Sequence, residues 1–66
     1  MDARSSIRTG RDLAAERVRA GLHQRDLAAV LGVSPRRIGA VEWKIRPSAA
    51  WIARYLRAIR EAGEAA

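Results

Sequence analysis

Cysteine is absent from this sequence, and His23 is its single histidine. Without cysteine the fold has no disulfide, and no cluster of residues has the spacing of zinc ligands. A lone histidine also has no partner group for acid–base or nucleophilic catalysis. We therefore expect no enzymatic activity, no cofactor and no bound metal. The lack of cysteine fits the reducing environment of the cytoplasm.

Long apolar runs are also missing, because none approaches the roughly 18 residues of a membrane span. The N-terminal sequence MDARSSIR lacks the apolar centre of a signal peptide. The chain shows no internal repeat, no low-complexity linker and no second domain. Its 66 residues predict one small domain with a thin core, a size at which dimerisation commonly adds stability.

Acidic residues are few, at 7 against 13 lysines and arginines, and the net charge is +6. Such a charge favours a polyanionic partner, with DNA, RNA and an anionic membrane as candidates, against the alternative of a generally basic soluble protein. The arginines are spread over several short helices with capping signals between them. This distribution argues against a basic amphipathic membrane helix.

The most informative stretch runs from Gln24 to Val41. An apolar stripe at helical spacing comes first, formed by Leu27, Ala28 and Leu31. Gly32 then stands where this helix must end, as a left-handed cap. Ser34 and Pro35 follow as the N-cap and first residue of a second helix, over residues 35–43, whose apolar stripe is Ile38 and Val41. Two helices joined by a tight turn, the second with a basic outer face, predict a helix-turn-helix.

The pattern GLxQxxLAxxLGVS at residues 21–34 resembles the phage repressor/Cro-like (XRE-type) helix-turn-helix domain. The match continues through Ile38, Val41 and Glu42 to Pro47 and Ser48, and so covers about residues 11 to 60. This resemblance implies an all-α, compact four-to-five-helix lambda-repressor-like domain. We expect a flexible arm at 1–8, the domain at 9–63 and a frayed end at 64–66. The arm is either an uncommitted tail, which we favour, or a DNA contact through Arg4 and Arg8.

Two further helices flank the motif. Thr9 and Asp12 form a capping box for a helix over 10–20 that Gly21 ends, with Leu13, Arg17 and Ala20 on its inner side. Ser48 caps a helix over 49–62, which either fuses the usual fourth and fifth helices or lacks the fifth. Its inner stripe is Ile52, Tyr55, Leu56 and Ile59. A second stripe supplies candidates for a dimer interface, namely Trp51, Tyr55, Ala58 and Ala62.

An arginine on an inner helix row needs an ionic partner, and Glu42 is the natural one for Arg17. The resemblance implies the same structural ion pair. His23 stands where the family usually has a serine or threonine cap, so the start of the helix at Gln24 must be weaker or supported differently.

The resemblance also implies which residues contact DNA. Those expected at base edges are Ser34, Pro35, Arg36, Arg37 and Ala40. Among them Arg36 is the strongest candidate, because its guanidinium can bind guanine O6 and N7 in a bidentate way, whereas Arg37 either reads a base or holds a phosphate. Backbone contacts are expected from His23, Gln24, Trp43, Lys44 and Arg46. Trp43 either covers the edge of the core, which we favour, or donates its indole N–H to a phosphate.

These features predict a sequence-specific, double-stranded DNA-binding transcriptional regulator. We expect a small homodimeric repressor in the cytoplasm, associated with the nucleoid through DNA, that binds a palindromic operator in the major groove without a small-molecule ligand or a membrane. The alternative is an antitoxin-type module, whose exposed Trp51 and Tyr55 bind a partner protein while the helix-turn-helix autoregulates its operon.

Overall fold

The chain folds into α-helices joined by short turns. A computed structural model describes residues 7–65, which contain α1 (Gly10–Arg19), α2 (Gln24–Leu31), α3 (Pro35–Glu42) and α4 (Ala49–Ala65) and no strand. None of these helices is long and apolar enough to cross a bilayer. The predicted all-α fold is confirmed, and α4 is one continuous helix that extends three residues beyond its predicted end. Arg4 and Ala66 lie outside the described residues.

The start of α1 is the predicted capping box. Thr9 Oγ1 accepts a hydrogen bond from the Asp12 backbone N–H at 3.1 Å, and Asp12 Oδ2 accepts one from the Thr9 backbone at 2.9 Å. The same carboxylate accepts the backbone N–H of Arg8 at 2.8 Å, and Ile7 packs against the core. These backbone donors hold the pKa of Asp12 below its ordinary value. Residues 7 and 8 of the predicted arm are therefore attached to the domain.

Glycines in the left-handed conformation end both α1 and α2. Gly21 has φ +74° and Gly32 has φ +69°, where a Cβ would be strained. At the end of α1 the Leu22 N–H donates to Arg17 O at 3.1 Å, and the Gly21 N–H donates to Val18 O at 2.9 Å, the two bonds of a Schellman cap. The helix therefore stops one residue before the predicted end, and Ala20 is exposed rather than on the inner row.

One core joins the four helices. α4 packs against α1 and α2, and α3 packs against the same two helices. The buried apolar residues are Leu13, Leu27, Ala28, Ile38, Val41, Tyr55, Ala58 and Ala62. Around them pack partly buried side chains that include Ile52, Leu56 and Ile59.

The predicted dimer interface on α4 is wrong for three of its four residues. Tyr55 is 0%, Ala58 1% and Ala62 9% exposed within a single chain, so they belong to the core. Two alanines on this stripe let α4 approach its neighbours closely, and the Tyr55 hydroxyl finds a buried partner, described below. The helix is therefore rotated so that the alanine stripe faces inward and the bulkier Ile52, Leu56 and Ile59 lie at its margins.

Gly10 fixes the contact between the start of α1 and the end of α3. Its backbone N–H donates to Lys44 O at 2.7 Å. A Cβ at this position would lie 2.3 Å from Val41 O and 2.6 Å from Glu42 O, which are backbone atoms that cannot rotate away. The close approach of these two helix ends therefore requires glycine.

Gly10→Ala should lower the free energy of unfolding by about 1–3 kcal/mol, the usual cost of an inserted methyl group in a packed site. Urea denaturation followed by circular dichroism measures this change. Gly63→Ala is the matched control, because that site in α4 is open and alanine should stabilise it by about 0.5–1 kcal/mol. Equal effects of the two substitutions would contradict the proposed close approach.

Candidate nucleic-acid interface

The face of α3 that is not in the core consists of the predicted base-contacting residues. Ser34, Pro35, Arg36, Arg37 and Ala40 are all exposed, whereas Ile38, Val41 and Glu42 are buried. The start of the helix is fixed by Ser34, whose Oγ accepts the Arg37 backbone N–H at 3.2 Å. Arg36 and Ala40 are four residues apart, so they lie one above the other on the exposed side.

The surface around α3 is strongly basic. Between Asp26 and Glu61 the sequence contains a single acidic residue, Glu42, and it is only 4% exposed. The same stretch has five exposed cationic side chains on α3, in the loop after it and in the first two turns of α4, which are Arg36, Arg37, Lys44, Arg46 and Arg54. None of them forms an ion pair with a carboxylate of the described residues. This concentration of positive charge suits a polyanion.

Below this surface, the buried carboxylate of Glu42 connects α3 to the other three helices. Arg17 of α1 binds it through two bonds, Nε to Oε2 at 2.8 Å and a terminal guanidinium nitrogen to Oε1 at 3.2 Å. Gln24 Nε2 of α2 donates to Oε1 at 3.0 Å, and the Tyr55 hydroxyl of α4 donates to Oε2 at 2.5 Å. The predicted contact between Arg17 and Glu42 is thus present. The Gln24 and Tyr55 bonds were not predicted, because no local spacing relates those residues to Glu42.

Electrostatics at this centre keep Glu42 ionised. Burial alone would raise its pKa, but hydrogen bonds from Arg17, Tyr55 and Gln24 outweigh that effect and the pKa is lowered. Burial and the neighbouring carboxylate both raise the pKa of the Tyr55 hydroxyl above its ordinary value. The centre is therefore a satisfied, charged network, and its groups are arranged for structure and not for proton transfer.

At the N-terminus of α2, the side-chain amide of Gln24 takes part in the Glu42 centre. One of its two N–H groups is bonded to Glu42, which leaves the other for the predicted phosphate contact. His23 is exposed, and its backbone N–H donates to Asp26 Oδ2 at 2.7 Å. The Asp26 side chain therefore satisfies the backbone N–H of His23, which is one half of a capping box, whereas a serine or threonine cap would accept a hydrogen bond from an N–H of the helix itself.

The loop after α3 exposes the other predicted backbone contacts. Lys44 and Arg46 are exposed, and Trp43 is 74% exposed, so the favoured prediction that Trp43 covers the core is wrong. Its ring instead packs beneath Arg11, whose guanidinium carbon lies 4.8 Å from the ring centroid. Beside Trp43, Ile45 is 79% exposed.

Trp51, the fourth predicted interface residue, contacts two arginines. The guanidinium carbon of Arg54 lies 4.7 Å from its ring centroid, and that of Arg37 lies 5.5 Å from it. The spacing of Trp51 and Arg54 by three residues on one helix could have indicated the first contact. The second depends on how α3 meets α4, which the sequence pattern does not reveal. Within the described residues no group of three potential metal ligands comes together.

The fold and its exposed basic helix define the class, a helix-turn-helix domain of the DNA-binding type. A family described as helix-turn-helix matches residues 13–60. The chain belongs to this family, and the predicted resemblance to the phage repressor/Cro-like (XRE-type) domain is confirmed. It is accordingly a DNA-binding protein of the transcription-regulator class. No curated protein and no solved structure matches the chain significantly.

Glu42→Gln should lower the free energy of unfolding by about 3–5 kcal/mol, because the guanidinium of Arg17 loses its buried counter-charge. A domain of this size has only about 3–10 kcal/mol in total, so the variant should be largely unfolded at 37 °C. Thermal melting by circular dichroism measures the loss. Glu16→Gln is the control, since Glu16 pairs with Arg19 at the surface, and it should change stability by less than about 1 kcal/mol. Equal melting of both variants would contradict the account of this centre.

Stability should also fall at alkaline pH because of Tyr55. Its folded-state pKa is above the ordinary value of about 10, so its contribution is complete below pH 10 and is lost as the pH rises further, at up to about 1.4 kcal/mol per pH unit. Denaturant titrations from pH 8 to 11 should show this decline for wild type. Tyr55→Phe should be less stable at pH 8, by about 1.5–3 kcal/mol for a hydrogen bond to a charged group, and should lack the decline. A decline that persists unchanged in Tyr55→Phe would contradict this assignment.

Proposed function

We propose that this protein is a sequence-specific, double-stranded DNA-binding repressor that acts as a small homodimer on a palindromic operator. The proposal depends on one observation. The exposed half of α3 presents Arg36 and Ala40, and no acidic residue between Asp26 and Glu61 is exposed at the surface. A cationic helix of this kind fits the major groove in width and charge. Repression follows most simply from occupying a promoter.

Sequence reading is assigned to the start of α3. Arg36 binds the O6 and N7 atoms of a guanine through the two donors of its guanidinium. One turn later, Ala40 offers its methyl group to the methyl of a thymine. Ser34 and Pro35 lie at the entry to the groove, where Pro35 has no N–H to donate and so leaves more of the discrimination to Arg36.

Affinity is assigned to contacts with phosphates on either side of the groove. Lys44, Arg46 and the indole N–H of Trp43 lie in the exposed loop after α3. At the start of α2 the backbone N–H groups of Gln24 and Arg25 have no acceptor among residues 7–65. These groups can bind a phosphate together with the exposed His23 and the second N–H of the Gln24 side-chain amide.

Dimerisation is proposed from the requirements of operator binding. A single copy of this domain reads only a few base pairs, and a two-fold pair places two α3 helices in successive major grooves about 10 bp apart. The interface does not lie on the α4 stripe of Tyr55, Ala58 and Ala62, which is buried within each chain. If a dimer neutralises roughly six to eight phosphates, the log–log slope of affinity against salt should be about −5 to −7.

The antitoxin-type alternative depended on an exposed aromatic stripe. Tyr55 is fully buried and Trp51 is half-buried against arginines, so that stripe is not available to a partner protein. No observation favours this function over DNA-directed repression.

Selection of bound duplexes from a random pool tests the proposal. Wild type should enrich a palindromic motif, and Arg36→Ala should lose the preference at one base pair of each half-site, at about 1–3 kcal/mol per contact. Arg60→Ala is the control, because it removes the same charge from the C-terminal half of α4 and should leave the motif unchanged. Salt-sensitive binding with no enriched motif in wild type would contradict sequence-specific reading.

A further inference from the structure

Two arginines from different helices pack on one tryptophan ring at the junction of α3 and α4. Arg37 belongs to the first turn of α3, and Trp51 and Arg54 belong to the first two turns of α4. The guanidinium carbons lie 5.5 Å and 4.7 Å from the ring centroid of Trp51. These distances are within the range of cation–π attraction, which offsets the repulsion of two like charges held close together.

The charge of this group is not neutralised by the protein. Neither Arg37 nor Arg54 forms an ion pair with a carboxylate of the described residues. Along α4, Glu61 stands four residues after Arg57 and Glu64 four residues after Arg60, whereas the residues one turn before and after Arg54 are Ala50 and Ala58. Arg54 is therefore the α4 arginine without an acidic residue one turn away.

The position of the ring links this charge to the proposed DNA-binding face. The start of α4 is fixed by Ser48, whose Oγ accepts the Trp51 backbone N–H at 3.1 Å. The loop that precedes it contains Lys44 and Arg46, the proposed phosphate contacts. Arg54 also borders a groove that runs from Val30 and Leu31 at the end of α2, next to the turn that leads into α3, to Arg57 and Glu61 further along α4. The two arginines thus continue the basic surface from α3 onto α4.

The packing also distinguishes Arg37 from its neighbour Arg36. The guanidinium of Arg37 packs on the Trp51 ring of α4, so it points to the side of α3. The guanidinium of Arg36 packs on no aromatic ring among the described residues. A guanidinium that stacks on a ring keeps its N–H groups free at the edge, where they can bind a phosphate in a bidentate way. A side chain ordered before binding also loses less conformational entropy when it binds.

We propose that Trp51 is a positioning residue that holds Arg37 and Arg54 as a clamp for the DNA backbone beside the groove that α3 enters. This inference rests on the proposed function and deepens it. It assigns Arg37 to phosphate binding and leaves base reading to Arg36. It also gives the exposed face of α4 a role in affinity that does not depend on sequence.

The test compares variants on the duplex that wild type selects, with affinity measured over a series of salt concentrations. Arg54→Gln should weaken binding on all sequences and reduce the magnitude of the log–log salt slope by about one for each subunit, whereas Arg57→Gln, with the same change in charge, should leave the slope near that of wild type. Trp51→Leu should reduce the slope like Arg54→Gln although it removes no charge. Trp51→Phe keeps a ring and should largely restore wild-type binding.

Thermal melting of each variant separates loss of the clamp from loss of the fold. Both Arg54 and Arg57 are exposed, so their comparison decides the question even if Trp51→Leu is unstable. In the double variant Arg37→Gln/Trp51→Leu the losses should not add, because the ring acts through the arginine. Equal slopes for Arg54→Gln and Arg57→Gln, with the wild-type motif intact, would overturn the clamp while the proposed function stands. Absence of DNA binding by wild type would overturn both.

Discussion

The rest of this structure depends on one buried carboxylate, that of Glu42. It stands at the end of α3 and accepts hydrogen bonds from Arg17 on α1, Gln24 on α2 and Tyr55 on α4. Burying an isolated carboxylate is very unfavourable, and it is tolerated here because both of its oxygens are bonded to partners. In a small domain without disulfides, apolar contacts alone would let the helices shift and rotate against one another. A single polar centre shared by four helices fixes the rotation of each about its axis.

That constraint determines which side of α3 faces solvent. With Glu42 directed inward beside Ile38 and Val41, the opposite side of the helix must carry Arg36 and Ala40 to the surface. Gly10 sets the distance of α1 from the same end of α3, because a larger residue would collide with its backbone. The acidic residue that would most weaken attraction to DNA is thereby removed from the surface and used as the centre of the fold. Stability and the basic surface come from the same arrangement.

Features that depend on neighbours in sequence could be predicted, and those that depend on contacts across the fold could not. Caps at Thr9, Ser34 and Ser48 and the glycine stops follow from spacings of one to four residues, and the structure shows all of them. The orientation of α4 was predicted incorrectly because this alanine-rich helix has two apolar stripes of similar strength. Tyr55 belongs to both stripes, so its bond to Glu42 does not decide between them, and the choice depends on how closely α4 approaches α1 and α2, which local spacing does not reveal. The packing of Arg37 on Trp51 is non-local in the same way.

We propose that DNA contacts the exposed side of α3, the loop after it and the start of α2. The most direct measurement is a ¹⁵N-labelled amide spectrum recorded as the selected duplex is added. The largest shifts are expected for residues 23–25, 34–40 and 43–46 and for the start of α4, with small shifts on the outer side of α1 and at the C-terminal end of α4. Large shifts confined to those last two regions, with α3 unchanged, would contradict it.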